Sequence, residues 1–176
     1  METVFLVGYY GVGKSVLGKI LASRKNLKFL DTNTYIEEKE GKKLKSIISE
    51  KGIDYFKELE KYTIKNKVIH EMIVSTGASL VSDEECRHII KKTGRVIYLK
   101  SDVNNIFNNL KDNYSEYLDN NFSIFTVEKD LNVYKPYYEE LENYVISVDG
   151  KSIDELVSEI LAIYNFMNKA KCHIYI

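Results

Sequence analysis

A glycine-rich octapeptide near the N-terminus, GYYGVGKS at 8–15, constrains the fold of this chain more than any other feature. A short apolar run, Thr3–Val7, leads into it, and an amphipathic stretch, Lys14–Arg24, follows it. The pattern Gly-x4-Gly-Lys-Ser between a strand and a helix is typical of a loop that wraps phosphate groups. The octapeptide therefore predicts an α/β fold with a phosphate-binding loop after its first strand.

The residue types of this loop indicate how it would bind a nucleoside triphosphate, most simply MgATP. Glycines permit positive φ and let the backbone approach an anion closely. Successive N–H groups at the positive end of a helix dipole then surround the β-phosphate. Lys14 places a charge on the β- and γ-phosphates, and the Ser15 hydroxyl is a ligand for Mg²⁺. The predicted nucleotide-binding residues of the loop are Gly8, Gly11, Val12, Gly13, Lys14, Ser15 and Val16.

Asp31 is the second predicted metal ligand, beside Ser15. It follows a second apolar run, Phe29-Leu30, and an acid at the carboxyl end of a neighbouring strand can reach Mg²⁺ or its water shell. The alternative is an N-cap for a helix near Tyr35–Lys39, and the two roles are compatible. Lys14 and Asp31 are the predicted catalytic residues.

Short apolar runs alternate with amphipathic stretches along the rest of the chain. Apolar runs without polar alternation suit strands buried on both faces of a parallel sheet. The further candidate strands are Lys28–Leu30, Met72–Ser75, Val96–Leu99 and Tyr144–Val148. The further candidate helices are Tyr55–His70, Asp83–Lys92, Val103–Leu110 and Ser152–Met167. This order predicts one α/β domain over residues 1–176 with a mostly parallel sheet.

Two local patterns add detail to this fold. The last candidate helix begins with Ser152 and Glu155 at the spacing of a capping box. The segment Asp112–Thr126 is polar and poorly periodic, which is typical either of a mobile lid or of a plain surface loop.

Charge and composition narrow the range of partners. A formal net charge of −1 provides no global attraction to nucleic acid or to an anionic membrane. No apolar run approaches the roughly 20 residues that cross a bilayer, and Met1-Glu2-Thr3 does not resemble the start of a secretory signal. Cys86 and Cys172 do not have the spacing of a metal site or a disulfide framework. We expect a cytoplasmic monomer or weak homodimer without nucleic-acid or membrane partners.

Taken together, the motifs resemble those of the shikimate kinase family, a nucleoside-monophosphate-kinase-like P-loop group. The resemblance runs from about Val4 to Met167. It rests on GYYGVGKS, on FLDTN with IEEKEG, on FKELE at 56–60, on STGAS at 75–79 and on KPYYEELENYVI at 135–146. It implies a five-stranded parallel sheet flanked by helices, a substrate-binding helical region near 33–61, a lid near 111–126 and a C-terminal tail at 168–176. It also implies transfer of the ATP γ-phosphate to a hydroxyl of a small metabolite, with shikimate as the named acceptor and Mg²⁺ as the metal.

The acceptor-binding positions that the resemblance implies carry unusual residues. Where the family has Asp-x-Asp, Phe-Arg-x-x-Glu and Gly-Gly-Gly, this chain has DTN at 31–33, FKELE at 56–60 and GAS at 77–79. The arginine expected before Pro136 aligns with Tyr134, and the lid has no Arg-Pro-Leu, so that Lys111 is its nearest cation. By resemblance, the substrate-binding residues are Asn33, Lys57, Gly77, Ala78, Tyr134 and Lys135, and Lys111 joins the nucleotide-binding residues.

The scarcity of arginine leaves the acceptor open. Arg24, Arg87 and Arg95 are the only arginines, and none occupies a predicted site position. Lysine supplies charge but not the two-pronged geometry that matches a carboxylate, and Asn33 can hydrogen-bond a hydroxyl but cannot take its proton. Two hypotheses follow: a kinase for a small hydroxylated metabolite, or a nucleotide-binding pseudokinase. A P-loop kinase for a different acceptor, such as a nucleotide or a sugar acid, is a third.

Overall fold

The computed structural model describes residues 2–113 and 122–172. Five strands form one parallel sheet in the order β2-β3-β1-β4-β5. The strands are β1 (Thr3–Val7), β2 (Lys28–Asp31), β3 (Met72–Ser75), β4 (Gly94–Lys100) and β5 (Tyr144–Ser147). The predicted five-stranded parallel sheet is confirmed, and the bounds of β1 and β3 match the predicted ones.

Eight α-helices accompany the sheet in the described part of the chain. They are α1 (Lys14–Lys25), α2 (Thr32–Glu40), α3 (Leu44–Lys51), α4 (Ile53–Lys67), α5 (Glu84–Thr93), α6 (Val103–Asn113), α7 (Ile124–Leu141) and α8 (Ile153–Cys172). The capping box predicted for α8 is present, because Ser152 N donates to Glu155 Oε2 at 2.8 Å and Glu155 N donates to Ser152 Oγ at 3.3 Å. Within the described ranges, no helix is long and apolar enough to cross a membrane.

The buried central strands separate two hydrophobic cores. Every residue of β1 and of β3 is buried, as an unbroken apolar run predicts for a strand covered on both faces. On one face, the Tyr98 ring of β4 stacks on the Tyr138 ring of α7 at a centroid distance of 5.1 Å. The Tyr138 hydroxyl also donates to Ala78 O at 2.9 Å. These contacts fix α7 against the sheet and against the turn that follows β3.

Helices α2, α3 and α4 form a layer beyond the carboxyl end of β2. Their inward side chains Ile36, Ile47, Phe56 and Leu59 make a separate small core. Gly41 and Gly52 end α2 and α3 with φ of 66° and 84°, where a side chain would be strained. The helical region predicted near 33–61 is therefore three short helices that wall one side of the sheet edge.

The segment predicted to be irregular, 112–126, is helical at both ends. Residues 112–113 close α6, and α7 already begins at Ile124. Helix α7 begins this early because of a capping box that was missed in the sequence. In it, Thr126 N donates to Ser123 Oγ and Ser123 N donates to Thr126 Oγ1. Residues 114–121 of the predicted lid and 173–176 of the predicted tail lie outside the described residues.

Candidate active site

The glycine-rich loop joins β1 to α1 at the carboxyl edge of the sheet. Gly8 must be a glycine because a Cβ there would lie 2.5 Å from the Leu99 carbonyl oxygen of β4. Gly13 is the N-cap of α1 with φ of 89°, and Gly11 has φ of 76°. The loop is therefore pressed onto β4 while its amides gather at the N-terminus of α1, which is the arrangement that binds phosphate.

Lys14, the first residue of α1, is buried beneath this loop. Its Nζ donates hydrogen bonds to Gly8 O at 2.8 Å and to Tyr9 O at 2.6 Å. Burial lowers the pKa of Lys14 to about 8, although the charge of Asp31 acts in the opposite direction. Two backbone carbonyl oxygens and the Asp31 carboxylate only partly compensate the positive charge of Lys14. An anion bound in the loop would therefore stabilise the protonated lysine.

Ser15 and Asp31 bring a hydroxyl and a carboxylate together beside the loop. Ser15 Oγ donates to Asp31 Oδ2 at 2.5 Å. Asp31 Oδ1 accepts from Asn33 N at 3.1 Å and from Thr34 N at 3.0 Å, which makes Asp31 the N-cap of α2. The cap alternative is confirmed, and it leaves the other carboxylate oxygen directed at Ser15.

The donor set around Ser15 fits Mg²⁺. Hydroxyl and carboxylate oxygens are hard ligands, and Ser75 Oγ lies 3.5 Å from Ser15 Oγ as a further oxygen that the sequence analysis missed. Mg²⁺ in proteins is commonly held by one or two side chains together with substrate phosphates and water. The described residues contain no group of three His, Cys, Asp or Glu side chains that could hold a metal ion on their own. The geometry suits a metal that arrives with a phosphate.

One cavity of about 890 Å³ opens in front of the phosphate loop. A volume of this size accommodates two small ligands or one large one. The predicted site residues that line it are Gly11, Gly13, Lys14, Ser15, Val16, Asp31, Asn33 and Ala78. Its opposite wall comes from the apolar side chains Leu44, Ile48, Phe56 and Val127 on the surrounding helices.

The other predicted site residues lie outside the described cavity wall. Lys57 is exposed on α4, and Lys111 is exposed at the end of α6. Lys135 lies 3.8 Å from Glu139 on α7, and the Tyr134 ring packs 6.3 Å from the Tyr9 ring. Val12 is buried in the core, whereas Gly8 and Gly77 support the wall from behind.

Two lysines that the sequence analysis missed line the cavity. Lys45 comes from α3 and Lys129 from the second turn of α7. No arginine is found among the described residues of the cavity wall. Neither lysine belongs to a motif, and the orientation of Lys129 depends on where α7 begins. The positive charges on the cavity wall at these two positions therefore belong to lysines, and their location becomes apparent only from the fold.

The two tyrosines of the phosphate loop connect it to other parts of the wall. Their rings meet edge to face at 5.1 Å. The Tyr9 ring also lies 6.3 Å from the Tyr134 ring of α7. Burial raises the pKa of both hydroxyls, so they remain protonated in the physiological range. The loop is thus packed against α7 through Tyr9.

A buried carboxyl group, Glu60, stands behind the cavity wall. Ser79 Oγ donates to its Oε1 at 3.0 Å, and burial raises the pKa of Glu60 to about 7. The neighbouring Gly77 N donates to Thr32 Oγ1 at 2.8 Å, which fixes the turn against the start of α2. The FKELE motif contains Glu60, but nothing in the motif indicates this degree of burial.

A parallel sheet of order 2-3-1-4-5 with a phosphate loop after its first strand, and a capped helix after its second, defines a nucleotide-binding protein of the P-loop class. The family model for shikimate kinase matches residues 10–165. The chain therefore belongs to the shikimate kinase family, as its motifs predicted. It is a shikimate-kinase-like, ATP-dependent kinase with ATP as co-substrate and Mg²⁺ as the metal ion.

Individual relatives agree with this assignment. The shikimate kinase of Sulfurihydrogenibium sp. is 37% identical over 168 residues, covering 92% of this chain and 96% of the relative. That of Persephonella marina is 36% identical over 168 residues, covering 92% and 98%. Among solved structures, the shikimate kinase from Acinetobacter baumannii in complex with shikimate superposes with a TM-score of 0.83 at 25% identity, covering 96% of this chain and 95% of that one.

Proposed function

We propose that this protein transfers the γ-phosphate of MgATP to a hydroxyl group of shikimate. The observation that carries the proposal is the shared cavity, which is lined both by Lys14 and Ser15 of the phosphate loop and by Asn33 and Phe56 of α2 and α4. A cavity that receives a nucleotide and a small acceptor side by side would meet the first requirement of phosphoryl transfer, which is alignment of the reacting groups. The names of the relatives, and the shikimate complex among the solved structures, support shikimate as the acceptor.

For the nucleotide half, we propose the roles that the loop geometry supports. The loop amides and Lys14 bind the β- and γ-phosphates, while Ser15 and Asp31 hold Mg²⁺. When bound, Mg²⁺ neutralises charge on the phosphate oxygens. The hydrogen bond between Ser15 and Asp31 supports this role because it keeps both oxygens on the same side of the loop. Lys111, which is exposed on α6, is proposed to act only through long-range charge.

For the acceptor half, we propose that lysine replaces arginine in binding the carboxylate. Lys45 and Lys129 face the cavity from α3 and α7 and supply point charges. Phe56 and Ile48 offer an apolar surface for a carbon ring, and Asn33, which lines the same cavity, is proposed to hydrogen-bond a ring hydroxyl. The remaining acceptor-region residues of the proposal are Lys57, Gly77, Ala78, Tyr134 and Lys135.

The decisive experiment is an ADP-release assay with MgATP and shikimate, together with ³¹P NMR of the product. We expect ADP release to depend on shikimate and to exceed acceptor-free ATP hydrolysis at least about a hundredfold. Lys14→Met is the inactive control, since it removes the phosphate-binding charge together with the hydrogen bonds of Lys14 to Gly8 O and Tyr9 O. Rates at background with every hydroxylated acid tested, despite MgADP binding, would indicate a pseudokinase. Faster turnover of a nucleotide or another sugar acid would assign a different acceptor.

We also propose that the chain acts as a single kinase domain, in the cytoplasm, as a monomer or weak homodimer. The near-neutral net charge and the buried free thiol of Cys86 support a protein that needs neither a charged surface partner nor a disulfide. Light scattering across a concentration series tests the oligomeric state. A stable higher oligomer at micromolar concentration would contradict this part of the proposal.

A further inference from the structure

Helix α6 packs against the glycine-rich loop at Gly11. A Cβ at Gly11 would lie 3.3 Å from Leu110 Cδ2 and 3.6 Å from Asn109 Nδ2, so two consecutive residues of α6 lie beside the loop backbone. Leu110 is buried in a hydrophobic core, and so is Ile106 one turn earlier in the helix. Because these two side chains anchor α6, Asn109 lies on a helix that is fixed relative to the loop.

Asn109 makes a polar contact with the loop backbone. Its Nδ2 donates a hydrogen bond to Gly11 O. Gly11 lines the cavity, so its carbonyl group belongs to the part of the loop that a phosphate would approach. A carbonyl oxygen carries partial negative charge and can only accept hydrogen bonds, so it would repel a phosphate oxygen if it pointed into the loop. The bond to Asn109 keeps this oxygen directed at α6.

The direction of this carbonyl also determines the direction of the amide in the same peptide unit. A trans peptide is planar, so its C=O and its N–H point in opposite directions. No cis peptide bond occurs among the residues that the structure describes. The Val12 N–H therefore points away from Asn109. A loop that binds phosphate needs this arrangement, with N–H groups towards the anion and carbonyl groups away from it.

The loop backbone at Gly11 needs such a contact because glycine is permissive. Gly11 has φ of 76°, and glycine adopts positive and negative φ about equally readily. The first part of the loop is held by Lys14, whose Nζ donates to Gly8 O and Tyr9 O. The hydrogen bond from Asn109 acts further along the loop, at a carbonyl group that these two bonds do not include.

We propose that Asn109 is a positioning residue for the nucleotide, a role that rests on the nucleotide half of the proposed function. It keeps the Gly11 carbonyl turned towards α6, so that the loop is arranged for the β-phosphate before the nucleotide binds. A loop that is already arranged loses less conformational freedom on binding, and this difference appears as affinity. Asn109 does not belong to the described cavity wall, so it acts through Gly11.

The affinities for MgADP, measured by calorimetry, and for AMP, measured by competition, test this role. Asn109→Leu removes the donor at similar size and should raise the Kd for MgADP about five- to tenfold, because one hydrogen bond to the loop is lost. AMP has no β-phosphate, so its affinity should change less than about twofold. Asn108→Leu, at the exposed neighbouring position, is the matched control and should leave both affinities within about twofold of the wild type.

Two further variants separate the hydrogen bond from a general effect on the packing of α6. Asn109→Asp preserves the size of the side chain, but its carboxylate cannot donate and repels Gly11 O, so the Kd for MgADP should rise about thirtyfold or more. Asn109→Gln retains the amide donor and should stay within about threefold of the wild type. A packing role predicts the reverse order, because only glutamine changes the size. Asn108→Asp controls for the added charge and should have an effect below about twofold.

The outcomes also distinguish this inference from the proposed function. If the wild type binds MgADP and Asn109→Leu binds it within about twofold, or if MgADP and AMP weaken by the same factor, the inference is overturned. If Asn109→Leu does not fold, weaker MgADP binding by Asn109→Gln than by Asn109→Asp contradicts the inference. If the wild type binds no MgADP, the nucleotide half of the proposed function fails and the inference fails with it. These measurements need no acceptor, so a failure of shikimate as the acceptor leaves the test intact.

Discussion

Ser15 Oγ donates a 2.5 Å hydrogen bond to Asp31 Oδ2, while the other oxygen of the same carboxylate caps α2. One side chain therefore connects the phosphate loop to α2, one of the helices that line the cavity. Any ligand that competes for Oδ2 acts on a group that also holds the start of α2. The two functions of this carboxylate can be separated by substitution.

Asp31→Asn should weaken metal use while sparing the helix. Asparagine caps helices about as well as aspartate, so we expect the free energy of unfolding to change by less than about 0.5 kcal/mol. The neutral amide should raise the Mg²⁺ concentration for half-maximal activity several-fold, because a charged oxygen ligand is lost. Urea denaturation and Mg²⁺ titration of the activity measure the two effects. Asp31→Ala, the comparison variant, should lose the cap as well, at about 1 kcal/mol.

MgATP affinity should fall as the pH rises above about 8. The pKa of Lys14 is lowered by burial to about 8, so the charge that binds phosphate is lost above that value. Above this pH, Lys14 has to take up a proton when MgATP binds. Calorimetry in buffers of different ionisation enthalpy should detect this proton uptake. Lys14→Met should remove most of the affinity and this pH dependence. Lys19→Met, at an exposed position of the same helix, should change neither.

The lowered pKa of Lys14 also affects the stability of the fold. This effect on stability has the opposite pH dependence to the effect on MgATP affinity. The unfolded chain keeps Lys14 protonated up to its ordinary pKa of 10.5, whereas the folded chain releases the proton near pH 8. Between these values the unfolded state binds more protons, so the Lys14 contribution to the free energy of unfolding increases with pH. Denaturation of wild type and Lys14→Met at pH 7.5 and 9.5 isolates this contribution. An equal pH response in both proteins would contradict it.

Gly77→Ala should impair acceptor binding and leave nucleotide binding intact. The added Cβ would lie 2.6 and 2.8 Å from the oxygens of Asn33 and Glu60, so at least one of these side chains must move. We expect the KM for the acceptor to rise about tenfold or more, with MgADP affinity changed less than about twofold. Steady-state kinetics and calorimetry on one preparation give both numbers. A normal KM would show that displacing Asn33 or Glu60 does not affect acceptor binding.

Lys45→Met and Lys129→Met should each raise the KM for an anionic acceptor about tenfold, or ~1.4 kcal/mol. Both lysines line the cavity, and methionine keeps most of their length while removing the charge. Lys135→Met is the control, since Lys135 pairs with Glu139 outside the described wall, and its KM should stay within about twofold. The KM for an acceptor analogue without the carboxylate should be the same in all three variants as in the wild type. A larger effect at Lys135 than at Lys129 would instead favour the positions inferred from family resemblance.

Structural features that are determined by neighbouring residues can be predicted from the sequence alone. The strand–loop–helix around GYYGVGKS, the buried strand β3 and the capping box at Ser152 follow from spacing and periodicity within a few residues of one another. Asp31 is predictable for the same reason, because it ends an apolar run and begins a helix. In each case the residues that determine the structure are neighbours in sequence.

The helical side of the cavity was harder to predict because it depends on which face of each helix is directed inward. Phe56 lines the cavity, and the next residue, Lys57, is rotated by about 100° around α4 and points outward. Lys129 lines the cavity from the second turn of α7, and no motif in the sequence indicates which face of that helix is directed at the cavity. Ser75 reaches the metal site through the pairing of β3 with β1, which no local pattern specifies.

The position of β1 between β3 and β4 also has a consequence for how this protein acquires its activity. The Leu99 carbonyl supports Gly8, and Ser15 lies near Asp31 and Ser75, so the site draws on four separated stretches of chain. Parallel strands far apart in sequence pair slowly during folding. Because the site needs all four stretches, an N-terminal peptide with the whole glycine-rich motif should bind no nucleotide. During refolding, the gain of MgADP affinity should mark the moment when the central strands have assembled.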